Sequence, residues 1–134
     1  MPLRIPPSHL NAELEEVIER SDVLLNAAET DEYTPVSPAA QKRASTFLRI
    51  QNAACNRLFQ IPLPIPDINP ADAGSIDLFW QLERHQLLIN FPAGPSDPIT
   101  YYGETVAGNQ TIAGRTTPHD ERPDLIAWLT QTKA

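Results

Sequence analysis

Gly74-Ser75-Ile76-Asp77-Leu78-Phe79-Trp80-Gln81-Leu82-Glu83-Arg84-His85-Gln86-Leu87-Leu88-Ile89-Asn90-Phe91 is the stretch whose reading decides the fold. Ile76, Leu78 and Trp80 alternate with Ser75, Asp77, Phe79 and Gln81, the period of two expected of a half-buried strand. Leu87, Ile89 and Phe91 repeat the pattern against Leu88 and Asn90, and the polar Leu82-Glu83-Arg84-His85 between them predicts the turn of an antiparallel hairpin. In this register Phe79 and Leu88 lie on the face opposite Trp80 and Ile89. A hairpin that is apolar on both faces needs two covering layers; with only one, it leaves an apolar patch exposed.

Towards the C-terminus, Pro92–Pro98 reads as a loop by composition. A third strand is expected at Ile99–Tyr102 and, after a Gly108-Asn109 turn, a fourth at Gln110–Gly114. Connections this short predict an antiparallel meander. Gly103, Gly108 and Gly114 are assigned to turns and bulges. Pro123, with Leu125, Trp128 and Leu129 on one face, predicts a short C-terminal helix docked by its tryptophan.

Towards the N-terminus, Leu10, Leu14, Val17, Ile18, Leu24 and Leu25 form one stripe of an amphipathic helix from Ser8 to about Ala28. Ser8 serves as its N-cap, with Glu13, Glu15 and Glu16 early, where the helix dipole favours acids. Glu29–Pro35 reads as a loop. Ser37-Pro38 starts a second helix, whose stripe Ala40, Ala44, Phe47, Leu48, Cys55 and Leu58 runs to about Phe59. A short link favours antiparallel packing of the two helices. Ile61-Pro62-Leu63-Pro64-Ile65-Pro66-Asp67-Ile68-Asn69-Pro70 alternates apolar residues with prolines, which excludes helix and disfavours a central strand. It reads as an extended strap, with Leu63, Ile65 and Ile68 available to the core.

The fold class is therefore α+β: two N-terminal helices, a proline-rich strap over residues 61–73, a three- to four-stranded antiparallel meander and a short C-terminal helix. The 134 residues suit one domain, with residues 1–7 read as a flexible lead. Two arrangements stay open: the two long helices cover one sheet face and the strap with the final helix part of the other, or Phe79 and Leu88 are left as an exposed apolar patch.

The net charge of −7 is unevenly spread: residues 1–36 carry −6, residues 37–60 carry +4 and residues 61–134 carry −5. Lys42, Arg43, Arg49 and Arg57 supply the basic segment, which is read as a solvated helix face paired with the acidic first helix. Direct nucleic-acid binding is disfavoured, since phosphate recognition needs a larger cluster of bases. The N-terminal residues lack the apolar run of a signal peptide, and no eighteen-residue apolar stretch suggests a membrane span. A cytoplasmic location is the default expectation.

Templates for chemistry fail on residue supply. Cys55, the single cysteine, sits in an apolar helical pattern and reads as a core filler. His9, His85 and His119 have no second ligand at metal-binding spacing, so neither metal nor cofactor is expected. Ser75, His85 and Asp77 supply the residue types of a triad but no oxyanion hole. Tyr101-Tyr102 should place one ring in the core and the other in solvent.

Pro35-Val36-Ser37-Pro38-Ala39-Ala40, Pro64-Ile65-Pro66-Asp67, Gly74-Ser75-Ile76-Asp77-Leu78-Phe79-Trp80 and Thr100-Tyr101-Tyr102-Gly103 together resemble a widespread set of small uncharacterised bacterial proteins. These share the order helix, proline strap, G-S-I-x-L-x-W strand and Y-Y-G strand. The likeness spans residues 35–130 and implies the architecture alone, with no catalytic residue carried over.

The expectation that follows is a non-enzymatic protein-interaction module of the antitoxin, immunity or adaptor kind, its partner another protein. Asp77, Phe79, Leu88, Asn90, Tyr101 and Tyr102 are the candidate interaction surface. The alternative is a small ligand-binding or enzymatic domain, with a pocket between strap and sheet near Trp80, Asn90, Tyr101 and His85. A homodimer through an exposed strand edge or the first helix fits either.

Overall fold

The computed structural model describes residues 7–27 and 35–130, with the side chains of the first helix described for residues 12–22. In chain order it has α1 (Pro7–Ala27), α2 (Pro38–Phe59), β1 (Asp67–Pro70), β2 (Ile76–Gln81), β3 (His85–Phe91), β4 (Ile99–Thr105), β5 (Thr111–Thr116) and α3 (Pro123–Thr130). The strands form one sheet in the order β1-β2-β3-β4-β5, every neighbouring pair antiparallel. The fold is α+β, as expected, with five strands where three or four were anticipated.

The additional strand is β1, cut from the end of the proline strap. It pairs with β2 through a tight reversal in which Ala71 N–H donates to Ser75 O at 2.9 Å. Ala73 (φ 57°) and Gly74 (φ 79°) take left-handed conformations in that reversal. An edge strand has no neighbour on one side, so Pro70 forfeits no ladder bond there. The remaining strand limits shift by one to three residues, and the hairpin turn narrows to Leu82–Arg84, closed by Leu82 N–H on His85 O at 2.9 Å.

α2 is the spine of the structure. Ser37 caps it, its Oγ accepting from Ala39 N–H (3.1 Å) and Ala40 N–H (3.3 Å), with Pro38 in the first turn. The same Oγ donates to Ala93 O at 2.8 Å, tying the helix start to the loop after β3. Gln60 ends the helix in the left-handed region, its N–H returning to Asn56 O at 3.0 Å. Ala40, Ala44, Phe47, Leu48, Gln51, Ala54 and Cys55 are buried, and Phe47 meets Phe91 edge-on at 5.6 Å. Each large side chain so buried contributes roughly 1.5–3 kcal/mol. Leu58, read as part of the stripe, is exposed at the last turn.

α1 begins at Pro7, so Ser8 lies inside it and the first turn carries no acid. The expected cap and dipole roles of Ser8 and the early glutamates are thus corrected. Glu15 instead pairs with Arg49, which donates to it at 2.8 and 3.0 Å. Leu14 and Ile18 are buried against α2; Leu10, Leu24 and Leu25 carry side chains outside the described set, as does His9. Glu15 reaches Arg49 while Ile18 and Asp22 lie beside Gln41 and Ala44, so α1 and α2 run antiparallel. The other arginines of α2 do not serve α1: Arg57 binds Glu121 at 2.6 Å, and Arg43 donates to Gly94 O and Asp97 O at 2.9 and 2.6 Å. The Glu29–Pro35 loop falls, up to Thr34, outside the described residues.

All described covering elements lie on one side of the sheet. Leu125, Ile126 and Leu129 of α3 join the same core as α2 and the buried strand residues Ile76, Leu78, Trp80, Leu87, Ile89, Phe91 and Ile99. Trp128 Nε1 donates to Gln86 O at 3.1 Å, and its ring packs edge-on to His85 at 5.4 Å. The strap is pinned to this side as well: Leu63 is buried with its N–H on Asn52 Oδ1 (3.0 Å), and Trp80 Nε1 donates to Pro64 O (2.7 Å). Ile68 packs at the core margin, whereas Ile65 is exposed.

Of the two arrangements open from sequence, the structure takes the one that leaves the second face uncovered by strap and final helix, and glycine explains part of it. A Cβ at Gly103 would lie 3.0 Å from Trp128 Nε1 and 2.8 Å from Gln86 O. The bare backbone admits the indole, and α3 settles beside α2. Gly114 likewise makes room for Tyr101, whose hydroxyl would sit 2.6 Å from an added Cβ. Both glycines lie within strands rather than at turns or bulges; of Gly103, Gly108 and Gly114, Gly108, with φ 73°, is the one that serves a turn. No helix among the described residues is long and apolar enough to cross a membrane.

Candidate interaction face

Strand parity places Asp67, Asn69, Asp77, Phe79, Gln81, Gln86, Leu88, Asn90, Thr100, Tyr102, Glu104, Thr111, Ala113 and Arg115 on the side away from the helices. The registers arrange them in transverse rows. The central row runs Asp67, Phe79, Leu88, Tyr102, Ala113 across all five strands. One flanking row is Asn69, Asp77, Asn90, Thr100, Arg115; the other is Gln81, Gln86, Glu104, Thr111. An apolar stripe thus crosses the sheet between two polar rows. Leu88 is 38% and Tyr102 47% exposed, while Phe79 is half-buried between its neighbours.

The flanking rows are internally held. Asn90 Nδ2 donates to Asp77 Oδ1 at 2.8 Å and to Ser75 Oγ at 3.2 Å. Gln86 Nε2 donates to Glu104 Oε1 at 3.0 Å, and Tyr102 donates its hydroxyl proton to Glu104 Oε2 at 3.2 Å. The charge of Glu104 holds the Tyr102 phenol above its ordinary value. Asp67, Asp77 and Glu104 outnumber Arg115 on this face, giving it an acidic rim.

Five of the six candidate residues share this face: Asp77, Phe79, Leu88, Asn90 and Tyr102. Tyr101 points the other way, as adjacent strand residues must. Its hydroxyl accepts from Arg122 Nη2 at 2.9 Å, and the guanidinium sits 5.1 Å from its ring centroid. The contact with Asp124 (2.8 Å) chiefly raises the Arg122 pKa further. Tyr101 is therefore a strut beneath α3, not part of the face. Ala113 falls within the fourth strand expected from sequence, where parity carries its signal; Glu104 and Arg115 lie beyond the strand limits that the sequence suggests, and Asp67 lies in the segment that reads as strap.

The Ser75, His85 and Asp77 grouping does not assemble. His85 opposes Thr105 at the far end of the hairpin and is buried against Trp128, whereas Ser75 Oγ donates to Asp72 O at 2.7 Å. Trp80, Asn90, Tyr101 and His85 line no common pocket: Asn90 faces away from the other three, and the Trp80 indole fills the space beneath the strap. Cys55 is fully buried, and burial pushes its thiol up to about 11. His119 is exposed, and among the described residues no three His, Cys, Asp or Glu side chains come together as a metal site.

Among the described residues, open clefts lie on the helix side. One of about 540 Å³ lies between β5 and α3, and one of about 350 Å³ between α1 and the strap, lined by Glu13, Leu14 and Pro62–Ile65. No family model, curated protein or solved structure matches this chain significantly.

Proposed function

We propose that this chain is a non-enzymatic protein-interaction module that docks a partner protein on the helix-free face of its sheet. The observation that carries this reading is the apolar row Phe79, Leu88, Tyr102 and Ala113, left open while every described helix packs on the opposite side. Tyrosine at such a position offers a rigid contact area with a polar tip, as interface cores favour. Asp67, Asp77 and Glu104 around the row suit a partner whose contact surface is apolar at its centre and basic at its rim. Charges at a rim chiefly set the association rate and its salt dependence. Inhibition or neutralisation of a basic partner, or adaptor-like bridging, falls within this class.

The test is capture of partners at native expression levels, comparing the natural chain with the Leu88→Glu, Tyr102→Glu double variant. The expected result is a stoichiometric partner held by the natural chain and lost by the variant, with both chains melting cooperatively. A partner retained equally by the variant, or no stoichiometric partner at all, refutes the reading.

A further inference from the structure

The two edges of the sheet are unlike. β1 has four residues and is bracketed by Pro66 and Pro70, the short proline-bearing edge that resists pairing. β5 has six residues, no proline, and only Ile112, Gly114 and Thr116 directed to the helix side. Its ladder with β4 has a definite phase. Thr105 N–H donates to Gln110 O at 3.0 Å, so alternation makes Gly103/Ile112 and Tyr101/Gly114 the hydrogen-bonded pairs. The main-chain groups of Thr111, Ala113 and Arg115 consequently face away from β4. One of them, Arg115 O, accepts from Arg122 Nη1 at 3.1 Å and keeps a second lone pair. Above this edge, on the helix side, the cleft of about 540 Å³ leaves space lined by Ile112, Leu125 and Trp128.

We propose that β5 pairs with β5 of a second copy, antiparallel about a two-fold axis at Ala113, so that two sheets become one continuous sheet. This register brings outward main-chain groups together: Ala113 faces its own counterpart, and Thr111 faces Arg115 of the second copy. Each such pair exchanges two hydrogen bonds. Charge is complementary in the same register. Glu104 neighbours Thr111 and so stands two strands from Arg115 of the second copy, about 9–10 Å between Cα atoms at the usual strand spacing. Two long side chains span that distance, and the two-fold repeats the pair. On the helix side Ile112 falls opposite Gly114 of the second copy, where no side chain competes for the space. On the outer side the apolar row of one copy meets that of the other at Ala113 and doubles in length. The interface is isologous and closed, because the remaining edges are the blunted β1 strands.

Sedimentation equilibrium or light scattering of the full chain, from low to high micromolar concentration, tests this. The expected result is a monomer–dimer equilibrium. Ala113→Pro should be monomeric with unchanged far-UV circular dichroism, because the N–H it removes points away from β4. Arg115→Glu should weaken the dimer about tenfold by setting like charges against Glu104, and adding Glu104→Arg should restore it. The charge pair decides the matter should Ala113→Pro fail to fold. Leu88→Glu, which strikes the docking face, should leave the dimer intact. A chain that is monomeric throughout, or a dimer indifferent to both Ala113→Pro and Arg115→Glu, overturns the proposal. So does an edge that pairs only with an added extended peptide.

Discussion

Leu87 and Leu88 are adjacent in β3, identical in chemistry and opposite in direction, so truncating each in turn measures how each sheet face is covered. Leu87 is fully buried, opposite Trp80 on β2 and Gly103 on β4. Gly103 has no side chain to relax into the vacated space, so Leu87→Ala should leave a cavity and cost about 3–4 kcal/mol, within the usual range for such changes. Leu88 lies between Phe79 and Tyr102 and is 38% exposed. Leu88→Ala should forfeit cross-strand contacts and part of a burial, about 1 kcal/mol. With an unfolding entropy of about 2.1 cal/mol/K per residue, the 134-residue chain should lose about 3.5 °C in melting midpoint per kcal/mol. The expected drops are about 10–14 °C for Leu87→Ala and about 3–4 °C for Leu88→Ala. Calorimetry together with urea titration at unchanged slope provides the reading. Equal losses would show that Leu88 is as well covered as Leu87; the outer face would then not be open, and the docking reading would fall with it.

Gln51→Leu should cost about 2 kcal/mol and about 7 °C, because the buried amide clamps the segment entering α3 through Asp120 O (2.6 Å) and Arg122 N–H (2.8 Å). Asp120 is exposed and its carbonyl can turn to water, which keeps the loss below that of two fully stranded groups; a loss under about 0.5 kcal/mol in urea titration would show that water replaces the clamp. Cys55 should be inert to thiol reagents at mildly alkaline pH in the native protein and reactive in urea. Its folded pKa is raised, so its contribution to stability is full below the ordinary thiol pKa and lost as pH rises towards about 11. Urea midpoints for the natural chain should therefore fall more steeply above pH ~8.5 than those of Cys55→Ala, and parallel slopes would count against this assignment.

Some of this architecture is written locally. The alternation from Ile76 to Phe91 specifies strands and sorts Phe79 and Leu88 from Trp80 and Ile89, because a period of two follows from covalent geometry. Ser37-Pro38 marks a helix start for a similarly local reason: a hydroxyl reaches amides two and three residues ahead. The open face of the sheet is half legible on the same grounds. Parity identifies Asp77, Phe79, Leu88, Asn90 and Tyr102 as candidates and reaches Ala113 in the expected fourth strand, whereas Glu104 and Arg115 join the face only because β4 and β5 extend beyond the limits their sequence suggests. Parity sends Tyr101 and Tyr102 to opposite faces but does not by itself say which faces the helices; the contact of Tyr101 with Arg122 does.

What the residues determine alone is thus which segments are strands and helices, and which side chains share a face. Only the tertiary structure decides how many layers meet that face. Whether α3 settles beside α2 or across the sheet depends on Gly103 yielding space to Trp128, and whether the strap turns inward depends on Pro64 lying within reach of the Trp80 indole. Each of these is a contact between segments far apart in the chain. The Gly74–Phe91 hairpin carries Phe79 and Leu88 on the side opposite its main apolar residues by its sequence, and becomes a sheet with one open face because packing places every described helix on the other.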